Sequence, residues 1–532
     1  MNNRRFSAVF AACTIAIAAF SQKTLFSAAY IRHIEIKRLN VFDRDLEVKD
    51  RWYYRLGNRL HIKTRENVIR RELTLAENRI FNETDLEESL RNLRRLAFIG
   101  EAKAEIRNVD CDSLDLVINT EDLWTTVFGL SGEGGGGNWQ IELYGNEKNL
   151  AGLGIELGCL VQLNSDKNNG WGAYYNDRRF AGLPVAFEFS GENFSLSERY
   201  FTRAAKPAYN LADRWDVSAT SEWLDSTRRL YSSGIELFRF QQKQRSHSLQ
   251  INRVFGINKR AIPHLSYHYK KDTYSPELTS SLNSTYLPDD EIQAGPGAGL
   301  RFISLDYDTA RFLDEPGNTE DIQLNWSAGV STIFSSTNFG AGLNSMLWSF
   351  QFKTLRRLLR GTYLGIRDIY SYRQYAGGKD RLLNTAETVL CFKPLPLHTL
   401  ALRGLSVFAQ RQKSDYQLLL GGDSGLRGYP DRYLAGNRLI LFNAEYRFFA
   451  PTTILTIIPG AAVFFDAGNV WDDSQSVELG DLRKNIGIGL RFGLTRSSTA
   501  KIVRIDLARG LDGGSTYVSF GTGNAFDLKP FR

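Results

Sequence analysis

The residues with the most pointed chemistry lie in the last quarter of the chain. The stretch LLLGGDSGLRGYPDRYLAGN (418–437) sets Arg427 inside a glycine- and aspartate-rich insert between two alternating runs, LALRGLSVFAQ and RLILFNAEYRFF. In the second run Ile440, Phe442, Ala444, Tyr446 and Phe448 share one face of a strand, opposite Asn443, Glu445 and Arg447. In AAVFFDAGNVW (461–471), Val463 and Phe465 oppose Phe464, Asp466 and Gly468. Glu445 and Asp466 therefore fall on the same side of neighbouring strands, and a long flexible loop delivers a guanidinium between them. That is ion-pair chemistry rather than bond-making. Glycines let the loop turn sharply and pass close to a wall, and Gly468 leaves space on the receiving side. In a solvated setting such a pair is worth about 0 to 1 kcal/mol. Partial burial raises the cost of losing one partner to about 3 kcal/mol, because a charge is stranded. The pair would fix a conformation more than it stabilises a fold. Spacing alone equally allows an exposed turn whose arginine meets only water.

Catalytic patterns are missing. The chain has no G-x-S-x-G elbow, no H-E-x-x-H, no paired-cysteine metal site and no phosphate loop. EGGGGN is glycine-rich but lacks a following lysine and a βαβ setting. His264 and His268 lie four residues apart on one strand face, about 13 Å, too far to share a metal. Cys13, Cys111, Cys159 and Cys391 have no paired or metal-like spacing. No catalytic residue, metal or cofactor is expected.

The elements that must hold these residues fall into two kinds. Residues 1–29 read as a secretory signal peptide, with Arg4 and Arg5, an apolar run and then small residues. Cleavage after Ala29 fits, and so does cleavage after Ser21. From 30 to 122 the pattern is β-α-α-β-β. Ile31, Ile34 and Ile36 open a strand, and TRENVIRREL and NETDLEESLRNLRRLAFIG give helices. The second has Leu86, Leu90, Leu93 and Leu96 on one stripe, Asn82 or Thr84 as cap, and Gly100 as its stop. EAKAEIRNV and SLDLVINTED close a compact two-layer α+β domain.

From 123 to 532 alternation takes over. Leu265, Tyr267 and Tyr269 oppose His264, Ser266, His268 and Lys270. Ile486, Ile488, Leu490 and Phe492 oppose Gly487, Gly489 and Arg491. Val503, Ile505 and Leu507 oppose Arg504 and Asp506. Aromatic content is high (12%), glycine is plentiful (46) and mean hydropathy is −0.30. Repeated apolar-out, charged-in strands are the mark of a transmembrane β-barrel. A β-sandwich that buries the apolar face shares the bulk composition. At roughly 25 residues per strand and connection, about 16 antiparallel strands fit. The net charge of +7 is modest and no basic tract dominates, which points to lumen and headgroup contacts rather than nucleic acid.

Several motifs resemble the BamA/TamA superfamily of outer-membrane barrels (the bacterial surface antigen family). GLRGY (425–429) resembles its Arg-Gly-aromatic inward-folded sixth extracellular loop. FFDAG (464–468) resembles its F-x-D-x-G strand motif, and NAEYRFF supplies the glutamate one strand earlier. LDYDTARFLDEPGN (305–318) resembles its Asp-Thr-Arg…Pro-Gly segment, and LRRLAFIGEAKAEI resembles part of a POTRA domain, here in a single copy. The resemblance implies an outer-membrane barrel with a periplasmic POTRA domain. It also implies a lumenal latch in which Arg427 contacts Glu445 and Asp466; Gly428, Tyr429 and Gly468, from the same motifs, complete the expected latch site. Multiple POTRA copies are usual in that superfamily, so one copy leaves the subfamily open.

The barrel would close between LWTTVFGLSGEGGGGN and STYVSFGTGNAF. Gly134, Gly135, Gly136 and Gly137 in the first, Gly521 and Gly523 in the last, and Phe526 as the final strand end make a weakly paired seam. Such a seam could open laterally and offer strand edges to an incoming polypeptide. The four glycines read equally as a plain extracellular turn. Two functions share these motifs: an assembly factor that inserts unfolded β-barrel precursors, and a translocator that exports a secreted partner protein. A passive pore needs neither the latch nor the N-terminal domain. No plug helix precedes the domain in the sequence, which favours assembly. Outer-membrane lipid and accessory lipoproteins are further expected partners.

Overall fold

In the first strand, β1 (Tyr30–Leu39), a bulge between Ile31 and His33 turns Ile31 and Ile34 onto the same face despite their odd spacing. Both are buried in one apolar core with Val68, Ile69, Leu86 and Leu93 from the helices, and with Leu114, Leu116 and Ile118 from the sheet. The structure, a computed structural model, describes residues 29–43, 51–110, 112–135, 138–208, 213–277, 287–311, 313, 319–378, 380–454, 457–494, 502–512 and 515–531. The signal peptide up to residue 28, Cys13, Cys111, Gly136 and Gly137 lie outside them.

Two compact units divide the chain. One comprises Met1–Val127 with Asn146–Leu157, the other Phe128–Gly145 with Gly158–Arg532. In the first, helices α1 (Trp52–Leu60), α2 (Glu66–Arg70) and α3 (Glu83–Arg94) follow β1 and precede β2 (Ile99–Asp110) and β3 (Ser113–Asp122). The sheet runs β1-β3-β2, with β1 parallel and β2 antiparallel to β3. Asn82 caps α3 by accepting from the Thr84 amide at 2.9 Å. Two features depart from the sequence reading. α1 is an additional helix whose residues are all at least partly exposed, so it carries no core stripe to read. Gly100 does not stop α3, which ends at Arg94; it lies in β2, where a Cβ would meet the Leu123 side chain at 2.7 Å. The turn 146–157 is fastened within this unit: the Asn149 amide donates to the Thr64 hydroxyl at 2.8 Å, and the Arg65 backbone donates to the Gly152 carbonyl at 2.9 Å.

The second unit is built from a closed antiparallel barrel. Its first strands are short: β4 (Thr126–Gly135), β5 (Asn138–Glu147), β6 (Ile155–Asn164), β7 (Gly170–Asp177), β8 (Ala186–Phe194) and β9 (Ser197–Lys206). The next six are long: β10 (Trp215–Ser232), β11 (Ile235–Arg253), β12 (Lys259–Pro276), β13 (Glu291–Arg311), β14 (Thr319–Ser335) and β15 (Ser345–Leu359). β16 (Thr362–Tyr375), β17 (Arg381–Phe392) and β18 (His398–Gln410) lead to the glycine-rich insert. There β19 (Leu418–Leu420) and β20 (Leu434–Gly436) pair as a separate small hairpin. The wall resumes with β21 (Arg438–Phe449), β22 (Ile457–Trp471), β23 (Arg483–Leu494), β24 (Ile502–Gly510) and β25 (Thr516–Thr522).

Among the described residues twenty wall strands result, not about 16. The connections are tighter than that estimate assumed: β10 and β11 are joined by Ser233 and Gly234 alone, both at positive φ (52° and 80°) as a two-residue hairpin turn requires. An even number returns both ends of the wall to one side, called here the terminal end.

Alternation divides the wall as the period of two dictates. Leu265, Tyr267, Val463, Phe465, Ile486, Ile488, Leu490, Ile505 and Leu507 are exposed on the outside, while Glu445, Asp466, Arg491 and Asp506 are buried inside. A closed wall with an apolar exterior matches hydrocarbon as its solvent and pairs each strand with a neighbour on both sides.

Candidate functional site

Arg427 is carried inward by the insert and is 2% exposed. Its fork meets Asp466 twice: Nε donates to Oδ2 at 3.0 Å and Nη2 to Oδ1 at 2.9 Å. Nη1 donates to Glu445 Oε2 at 2.8 Å and to Asp506 Oδ2 at 3.2 Å. The guanidinium carbon lies 3.4 Å from the centroid of the Phe464 ring, so its flat face is covered too. Gly487 makes this stack fit, because a Cβ there would fall 2.2 Å from Phe464 Cζ.

The carboxylates are saturated in turn. Asp466 also accepts from Asn443 and Asn485, at 2.8 and 2.9 Å. Glu445 accepts from Arg447 Nε at 2.9 Å and Arg491 Nη2 at 3.1 Å. Asp506 accepts from Arg491 Nη1 at 2.5 Å and Arg504 Nη1 at 3.1 Å. Three carboxylates thus face three buried arginines, with the half-buried Arg504 at the rim. The expected solvated pair is in fact a dry network spanning β21 to β24. Ions so placed cost several kcal/mol each unless fully paired, so the cluster holds together as one unit.

Backbone fit is as strict as charge. A Cβ on Gly428 would stand 2.4 Å from Asn485 Cβ and 2.9 Å from the Gly510 nitrogen. Tyr429 is buried, its hydroxyl 2.9 Å from the Asp512 carboxylate. Gly468 makes room for Leu420 of the small hairpin, whose Cδ2 would lie 2.9 Å from a Cβ, rather than for the arginine. The Asn443 amide donates to the Gly425 carbonyl (2.8 Å), and the Asn138 amide donates to Asp431 (2.8 Å), tying the hairpin to β5.

At the seam β25 pairs antiparallel with β4, Phe520 opposite Gly134. The Phe520 ring lies over Gly132 and Gly134, where a Cβ would meet it at 2.7 and 2.8 Å. Gly135 ends β4. Gly521 leaves room for the Arg504 guanidinium, 3.0 Å from a Cβ. Two expected seam residues sit elsewhere. Gly523, at φ 80°, lies beyond β25 and turns the chain away from the wall. Phe526 is no strand end: it is buried inside the barrel, its carbonyl accepting from Arg447 Nη2 at 2.7 Å.

Sequence reading placed Arg447, Arg491, Arg504 and Asp506 on the inner face without giving them a role. Their alternation with Tyr446, Leu490 and Ile505 was the available signal. Among the described residues no group of three or more His, Cys, Asp or Glu could hold a metal ion.

No family model matches the chain. A protein of Treponema pallidum (strain Nichols), provisionally named as an outer membrane protein assembly factor, is 26% identical over 192 residues, 35% of this chain. The chain spans only 22% of that relative's length. Among solved structures, BamA from Haemophilus ducreyi lacking POTRA domains 1–3 aligns with 92% of this chain and 84% of its own, at 13% identity and a TM-score of 0.45. CdiB from Escherichia coli aligns with 94% and 77%, at 12% identity and a TM-score of 0.47.

Proposed function

We propose that the chain is an outer-membrane protein assembly factor of the BamA/TamA type. In this reading residues 30–122 form a periplasmic POTRA domain, whose β2 edge docks unfolded β-barrel precursors by strand addition. The seam between β4 and β25 admits them to the membrane. The observation that carries the reading is the contrast within one wall. Strands β21 to β24 are locked by a buried arginine network, while at the neighbouring β25–β4 junction Gly132 and Gly134 present no side chain of their own beneath the Phe520 ring. A wall locked by charge beside a junction lined by glycine, which weakens strand pairing, has a built-in place to open, and the lock keeps opening confined to it. The name given to the Treponema relative supports the same class of activity. No step calls for catalysis or a cofactor.

The test is depletion of the protein in its own host, with quantitative proteomics of outer membrane and medium together. A general fall in outer-membrane barrel proteins, with precursors accumulating in the periplasm, is expected. Loss of one secreted protein against an unchanged outer membrane would replace this reading with that of a dedicated secretion translocator.

A further inference from the structure

The chain continues past its last wall strand, β25. After Thr522, Gly523 turns at φ 80° and the following residues pass inside the barrel. Leu528 and Phe531 are fully buried and Phe526 nearly so. They form one apolar cluster with Leu355, Tyr363, Val389, Cys391 and Ala401 of β15 to β18. These wall residues face the lumen. Tyr363 and Gly365 alternate into Arg367, Val389 and Cys391 follow Glu387, and Ala401 precedes Arg403. Arg367 and Arg403 both donate to Glu387 inside the barrel (2.9 and 2.8 Å).

The lumen is therefore charged at mid-height and carries an apolar band at its terminal end. Water would meet that band if the tail did not cover it. Two polar contacts fix the path: Arg447 donates to the Phe526 carbonyl at 2.7 Å, and the Asn325 amide donates to the Phe531 carbonyl at 3.4 Å. Gly365 provides the seat, since a Cβ there would lie 2.6 Å from the Phe531 ring. Six wall strands separate β16 from β25, so the tail runs as a chord from the seam to a distant part of the wall.

We propose that Gly523–Phe531 is a built-in crossbar that closes the lumen to ions at the terminal end. The property is independent of whether the protein inserts or exports its clients. The test uses the purified full chain in planar lipid bilayers, compared with Gly365→Leu and with deletion of residues 525–532. All three carry Cys111→Ser and Cys159→Ser, and heat-modifiable gel mobility verifies the barrel. Cys391, on the wall beneath the tail, reports by its reaction with a charged thiol reagent whether the tail has left. The expected result is a protected thiol and low conductance in the parent, and an exposed thiol with severalfold higher conductance in both variants. An exposed thiol with unchanged conductance overturns the seal. A thiol still protected after deletion overturns the contact itself. Gly365→Leu keeps the whole tail, so the proposal stays testable if the truncated chain does not fold.

Discussion

Replacing Arg427 by alanine tests the buried network most directly. The substitution removes two of the four donors to Asp466, one of three to Glu445 and one of three to Asp506. Breaking a buried pair on one side costs about 3–5 kcal/mol. The wall ladders do not pass through the insert, so this cost falls on docking of the insert rather than on the barrel. At about 1.4 kcal/mol per decade, the undocked population rises by roughly two to three and a half orders of magnitude. Tyr429, buried when docked, becomes a chymotrypsin site, and its cleavage rate in the folded barrel reads that population. Barrel content by heat-modifiable mobility stays near the parent level, while activity in the host falls. Arg427→Lys keeps the charge but loses the fork, and a loss of about 1.5–3 kcal/mol puts it between parent and alanine. Unchanged protection of Tyr429 together with full activity in Arg427→Ala would refute the reasoning.

Other perturbations probe neighbouring parts. Gly428→Ala leaves every charge in place yet has no room beside Asn485, so its proteolysis should approach that of Arg427→Ala; parent-like protection would show that the close fit is dispensable. Exchanging the charges, Arg427→Asp with Asp466→Arg, should not restore activity, because the carboxylate cannot supply the fork that reached three partners; recovery to the parental level would count against geometric specificity. Cysteines at Gly134 and Phe520, in a background without the other cysteines, should form a disulfide across the seam and abolish activity until reduced; full activity with the bond intact would rule out lateral opening there. Asp431, pushed up to about 7 by burial and by its hydrogen bond with Asp423, has a folded pKa above its ordinary 3.8. Its stabilising contribution is therefore present in acid and lost as pH rises through about 7. Amide exchange of residues 421–436, corrected for its intrinsic pH dependence, should accelerate between about pH 4 and pH 7 and level off above, and Asp423→Asn should flatten the change. A parent profile already flat would refute the coupling.

Much of the site was legible because strand periodicity is a local property. Alternation alone set Glu445, Arg447, Asp466, Arg491 and Asp506 on one side of the wall. Which of them meet was not legible, since that depends on cross-strand register, and register is fixed by partners dozens of residues away. The burial of Arg427 was underestimated for the same reason: dryness comes from Phe464, Gly487 and the small hairpin acting together. The strand count is not legible because a two-residue turn such as Ser233–Gly234 leaves little trace inside a long alternating run. Phe526 reads as a strand end because an aromatic after an alternating run fits one, while the turn at Gly523 that sends it inward depends on a backbone angle glycine merely permits.

The tail also bears on how the wall finds its alignment. Strands rich in glycine specify their pairing weakly, and β4 and β25 meet where little else selects one alignment over another. The smallest slip of β25 that keeps its inner side chains inside is two residues, or about 7 Å. Such a slip would drag the root of the tail by the same distance and pull Phe531 off the Gly365 seat. Gly523–Phe531 thus acts as a gauge, measuring the closing strand against the far wall and penalising a misaligned closure that the seam itself would tolerate.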